Sequence, residues 1–204
     1  MIFDYPIVPH ARQHGPNGYR TYQSYKIWLR DEFKFRCVFC LVRERWYPNG
    51  DAAFSVEHLK PQDLDDKGIL DYENLYYSCL TCNSVKRAVW PLADPCKDAF
   101  ATHLKVLANG TVEPLSLKGR VLWRTLELDE ELRVEFRLRM LRLFSRLQSQ
   151  IADSGVRELF KGHFGFPDDL PDLRKARVSR NRRPNGVNAS HFVLRQTGRL
   201  PETY

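Results

Sequence analysis

The chain has 204 residues, of which 43% are hydrophobic and 12% aromatic, and it carries a net charge of +7. That composition excludes a disordered or fibrous chain and suits one domain with a sizeable core, or a small domain with extensions. No apolar run approaches the ~18–20 residues needed to cross a bilayer. The N-terminal residues lack the basic start, apolar stretch and small-residue cleavage site of a secretory signal, so a cytoplasmic protein is expected.

In chain order, Pro6, Pro9, Gly15, Pro16 and Gly18 mark residues 1–18 as an irregular arm. Residues 21–35 suggest a helix, with Tyr22, Tyr25, Trp28, Leu29 and Phe33 at three- and four-residue steps. Tyr47-Pro48-Asn49-Gly50-Asp51 signals a turn, and Ala52 to Leu59 suggests a short strand. Residues 61–73 are polar and predict a loop. Leu75-Tyr76-Tyr77 is a short apolar segment, followed by a helix that starts near Cys82 and stops before Pro91. Asn109-Gly110 predicts a hairpin of strands 103–108 and 111–117, with Arg120 to Leu126 continuing the sheet. Asp129 to Ile151 is the longest predicted helix, with an apolar stripe of Leu132, Phe136, Met140, Leu143, Leu147 and Ile151. Arg139, Arg142 and Arg146 fall on another face, most simply a solvated one. Residues 152–173 are expected to be short and irregular.

The charge is uneven. Arg174–Arg199 holds eight Lys and Arg with no Asp or Glu, whereas residues 1–173 hold 24 of each sign. A neutral body with a basic tail suits an electrostatic grip on phosphate. A basic run by itself is equally a solvated tail.

Five cysteines are present. Four form the pairs Cys37-x2-Cys40 and Cys79-x2-Cys82, and Cys96 stands alone. In a cytosolic chain disulfides are not the default. Two such knuckles supply four thiolates to a tetrahedral zinc, and a closed thiolate shell leaves no open position, so that metal is structural. A redox Cys-x2-Cys is the weaker alternative. Between the knuckles stands Ser55-Val56-Glu57-His58-Leu59-Lys60-Pro61. On a regular strand Glu57 and His58 would face opposite sides unless the backbone bends. A lone His is usually structural, but Asn74 follows sixteen residues later and Asn83 comes immediately after the last cysteine of the second pair.

The succession Cys-x2-Cys, Glu-His-x2-Pro, Asn-Leu, Cys-x2-Cys-Asn-x2-Lys resembles the HNH endonucleases, in the branch with a zinc-binding cysteine quartet, over about residues 33–90. The resemblance implies an α+β fold: a ββα-metal core with zinc knuckles, flanked by helices and a small C-terminal hairpin-plus-helix extension. It divides the chain into an arm and helix (1–32), a nuclease core (33–90), an extension (91–173) and a basic tail (174–204). It implies that His58 is the general base, that Glu57 and Asn83 bind one catalytic Mg²⁺ or Mn²⁺, and that Asn74 braces the loop that orients His58. It also implies that Lys86 and Arg87 contact phosphate, while Cys37, Cys40, Cys79 and Cys82 hold the zinc. Glu57 stands where Asp is the more familiar residue, and Asn83 where His is common.

The expected activity is hydrolysis of DNA phosphodiesters, with RNA left open. By loose resemblance to standalone bacterial HNH proteins, the setting is anti-phage defence or restriction with a regulatory ATPase-type partner. The alternative is a zinc-stabilised nucleic-acid-binding module without catalysis. Only the enzyme needs Glu57, His58, Asn74 and Asn83 together.

Overall fold

A computed structural model describes residues 2–204. Its elements in chain order are β1 (Pro16–Asn17), α1 (Lys26–Glu32), β2 (Phe54–His58), β3 (Leu75–Cys79), α2 (Leu80–Lys86), β4 (Leu104–Val106), β5 (Val112–Pro114), α3 (Leu117–Thr125), α4 (Glu131–Gln148), α5 (Ser154–Phe164), β6 (Arg180–Asn181) and α6 (His191–Gln196). The fold class is α+β, with helices beside small two-stranded sheets: β1 with β6, β2 with β3, and β4 with β5. Among the described residues, no helix is long and apolar enough to cross a membrane.

The chain divides into two compact units. One comprises Leu92–Phe166 with the segments up to His10 and from Glu202. The other comprises Ala11–Pro91 and Pro167–Pro201. Most of the basic segment read as a tail, through Pro201, therefore belongs to the same compact body as the cysteine knuckles.

In the first unit the hairpin forms where Asn109-Gly110 predicts it, since Gly110 takes φ of +86° and a Cβ there would meet the Val134 carbonyl at 2.6 Å. Residues 120–126 do not extend this sheet but lie in α3. Ser116 caps that helix by accepting from Gly119 N at 3.0 Å, a start signal stronger than the strand tendency of the residues behind it. α4 buries Met140 and Arg137, while Leu132 and Ile151, at the ends of the expected stripe, are exposed. Arg137 donates to the carbonyls of Gly110 and Leu128 and so ties the hairpin turn to the helix. Residues 154–164 are helical rather than irregular. Asp153 caps α5, and Phe160 and Phe164 pack against Phe144, tilted and edge-on, with ring centroids 5.4 and 5.1 Å away.

The second unit is organised around α1. The predicted helix 21–35 is a 3-10 turn at Tyr22–Tyr25 followed by α1, which ends where Lys34 and Phe35 take positive φ on the way into Cys37. Trp28 and Leu29 are buried as the periodicity requires, but so are Arg30, Asp31 and Glu32. Each of these charges has its own partners. Arg30 makes a forked pair with Glu44 at 2.8 and 3.0 Å, and Tyr77 Oη donates to the same carboxylate. Asp31 accepts from His14 Nε2 at 2.8 Å and from the ring and backbone of His191 at 3.0 and 2.9 Å. Glu32 accepts from the backbone N–H groups of Gln13 and His14 and from Tyr72 Oη. One helical turn thereby anchors the arm, the knuckle segment, the site loop and the C-terminal segment.

Candidate active site

β2 and β3 form an antiparallel pair with Phe54 opposite Cys79 and His58 opposite Leu75. β3 leads directly into α2, and Cys79 caps that helix through Sγ, which accepts from Cys82 N. This connection puts the second knuckle at one end of the β2–β3 pair and the His58 end at the other.

The four cysteine sulfurs lie within 4.8 Å of one another, all buried, with Cys40 and Cys79 Sγ 3.6 Å apart. Tetrahedral zinc with Zn–S of about 2.3 Å needs S–S separations near 3.8 Å, so the quartet is positioned for a zinc site. Hydrogen bonds to Cys37, then to Cys40, hold the Cys79 and Cys82 thiols well above their ordinary range. Four thiolates cannot coexist at these distances without a cation. Cys96 lies outside the quartet.

A cavity of about 320 Å³ opens at the other end, lined by Tyr22, Glu57, His58, Gln62, Asn83 and Arg87 among others. Glu57 and His58, adjacent on β2, both line it; His58 is the last residue of the ladder. The His58 ring is held on three sides. Its Nε2 lies 3.0 Å from the Ile69 carbonyl, its Nδ1 lies 3.1 Å from the Gln62 amide nitrogen, and Tyr22 packs edge-on with centroids 4.7 Å apart. A carbonyl only accepts, so Nε2 carries the proton and Nδ1 presents the lone pair. Burial holds the His58 pKa below its ordinary value and the nearby Lys86 charge adds to this, against the Ile69 hydrogen bond.

Asn74 sits immediately before β3, at the end of a 3-10 turn, and makes no hydrogen bond to the His58 ring. Its side chain accepts from Lys60 N at 2.9 Å and donates to the carbonyls of Lys60 and Gly68 at 3.0 and 3.2 Å. It clasps both ends of the loop, next to the Ile69 carbonyl that holds His58. Asn83 donates from Nδ2 to Ser55 Oγ at 2.6 Å, leaving its oxygen as a donor for a cation. Arg87 is exposed, with φ of +49° and ψ of −136°, unusual for a residue with a side chain.

Lys86 does not sit where the sequence suggested. It is fully buried, with Nζ 2.7 Å from Glu57 Oε1 and 2.8 Å from the His58 carbonyl oxygen, so it does not reach a phosphate in this structure. One turn beyond Asn83, its side chain runs back under β2 instead of outward. Burial pushes the Glu57 carboxyl up to about 7, against the opposing charge and hydrogen bond of Lys86. A carboxylate and an amide oxygen on one cavity wall fit a hard divalent ion, although Lys86 engages one carboxylate oxygen.

Sequence reasoning missed Gln62 and the Ile69 carbonyl, because a polar loop after Pro61 gives no signal of which atoms return to the ring. Tyr22 was legible only as part of a helical face.

Residues 37–88 match the family model described as HNH endonuclease. No curated protein and no solved structure gives a significant match to the chain. The matched segment, about a quarter of the chain, runs from the first cysteine of the quartet through His58 to just past α2, so residues 37–88 are similar to the HNH endonucleases and carry four cysteines positioned for a metal.

Proposed function

We propose that the chain is a metal-dependent endonuclease that hydrolyses DNA phosphodiester bonds, with His58 as the general base. The observation that carries this is the orientation of the imidazole: Nε2–H is fixed on the Ile69 carbonyl, and Nδ1 is the accepting nitrogen in a cavity shared with Glu57, Asn83 and Arg87. In that tautomer His58 takes a proton from water at Nδ1, and the Ile69 carbonyl steadies the imidazolium that results. Gln62 donates to the same lone pair and marks the position from which a water would give up its proton. Arg87 offers an exposed guanidinium to the phosphate. Asn74 keeps the loop, and through it Ile69, in register. Mg²⁺ or Mn²⁺ held by Glu57 and Asn83 would neutralise charge on the phosphate and its leaving oxygen.

The pairing of Lys86 with Glu57 favours one rival, a zinc-stabilised nucleic-acid-binding module whose acidic ligand is permanently occupied. Plasmid cleavage by the zinc-loaded protein, with and without Mg²⁺ or Mn²⁺ and beside His58→Ala, separates the two. Metal-dependent cleavage that vanishes in the variant supports the enzyme. Tight DNA binding without cleavage supports the module.

A further inference from the structure

The Glu57–Lys86 pair has features that a surface lysine reaching for phosphate would lack. The ammonium is fully buried and its carboxylate is only 5% exposed. Two of its three protons are committed, to Glu57 Oε1 and to the His58 carbonyl. It thus sits where β2 ends and α2 ends, behind the wall that carries Glu57, His58 and Asn83. A divalent ion arriving at Glu57 meets a carboxylate that is already neutralised and a fixed positive charge beside it. Like charges within a few ångströms in a poorly solvated site repel strongly. The other protein oxygen, from Asn83, is neutral. Phosphate oxygens from a bound nucleic acid would restore the missing negative charge.

We infer that Lys86 is a resident counter-cation for Glu57, a positioning residue that keeps the divalent-ion site weak in the free protein and makes ion binding depend on the phosphate of the substrate. This inference rests on the metal-ligand roles given above to Glu57 and Asn83. It reassigns Lys86 from substrate contact to control of when the ion is held.

The test reads ion binding rather than cleavage. Mn²⁺ is titrated into the zinc-loaded full-length protein without nucleic acid, and free Mn²⁺ is followed by its electron paramagnetic resonance signal. Lys86→Met is expected to bind Mn²⁺ at least about tenfold more tightly than wild type, the least that loss of a like charge at this range should give. In a His58→Ala background, which prevents turnover, adding a short DNA duplex is expected to tighten Mn²⁺ binding by about tenfold or more with Lys86 present, and by much less in Lys86→Met. Glu57→Gln should lose the site in either background. If Lys86→Met does not fold with its zinc, Lys86→Gln, which can still donate to both oxygens, is judged by the same criterion. Equal or weaker Mn²⁺ binding by a folded Lys86 variant overturns the inference. If Glu57→Gln itself binds Mn²⁺ like wild type, the ligand assignment fails instead, and the two failures are distinguishable.

Discussion

Replacing Lys86 by Met should also change stability, by an amount that depends on pH. The charged atoms are 2.7 Å apart. At an effective dielectric constant of about 20, their gross attraction is ~6 kcal/mol. Much of this is offset by desolvation of both groups, yet removing one partner leaves the other buried and uncompensated. In Lys86→Met the carboxyl escapes by taking a proton. Its pKa is already about 7 with the ammonium present, against an ordinary value of 4.5, and losing the ammonium can only raise it. A raised folded-state value costs both proteins stability as pH rises above 4.5, in parallel up to about pH 7, and the extra penalty of the variant opens above pH 7, where only wild type ionises the carboxyl against an ammonium. At up to about 1.4 kcal/mol per pH unit above 7, the extra penalty from titration is close to zero at pH 6 and about 2 kcal/mol at pH 8.5. Glu57→Gln strands the ammonium and should cost ~3–5 kcal/mol, whereas the double variant should return to within ~2 kcal/mol of wild type. Urea unfolding of the zinc-loaded proteins, followed by tryptophan fluorescence at both pH values, measures all four corners of the cycle. A Lys86→Met loss below ~1 kcal/mol at pH 8.5, or one that is the same at pH 6 and pH 8.5, would refute the burial argument.

His58→Ala should lower cleavage by about 10²–10⁴-fold while keeping the zinc. With His58 intact, the acid limb of the rate profile should fall below pH 6.5, because the pKa of the base is depressed. Cys79→Ser should abolish zinc retention and unfold the domain, since structural zinc contributes on the order of 10 kcal/mol, comparable to the whole stability of a domain; a folded variant with full zinc content would contradict this. Asp31→Asn should cost about 2 kcal/mol at neutral pH. Burial raises the Asp31 pKa, but hydrogen bonds from His14 and His191 outweigh it and bring the value to about 2 from 3.8. That contribution is present above pH 4 and is lost as pH falls towards 2, so the thermal-midpoint gap between variant and wild type should be full at pH 7.

The features legible in the sequence were those written in local spacing. Two Cys-x2-Cys turns, an Asn-Gly hairpin and a short strand within residues 52–59 each depend on neighbours along the chain, and each appears close to where it is expected, the strand as Phe54–His58. α3 and α5 were missed because each starts from a single capping residue, Ser116 or Asp153, while residues 120–126 have a strand tendency and residues 152–173 an irregular composition. Lys86 was misjudged for a different reason. Its partner, Glu57, lies across the β2–α2 packing, and no local pattern tells whether a lysine one turn after Asn83 turns outward or back. Arg30-Asp31-Glu32 has the composition of a solvated charge run. Its burial depends on Glu44, His14, His191 and Tyr72, up to 160 residues away. The same long-range contacts turn a basic stretch that resembles a free tail into folded structure.

That wiring sets a schedule for biosynthesis. β1 waits for β6, the Arg30–Glu44 pair is extended by Asp169, and Asp31 lacks one of its two imidazoles until His191 has been made. The four cysteines of the quartet, His58 and Asn83 all leave the ribosome more than a hundred residues earlier than His191. A ribosome that stalls or terminates early therefore releases every residue of the HNH segment without the body that supports it. Synthesis of the segment through His191 is thus a late step of assembly, and shorter products are expected to be proteolysed rather than to accumulate.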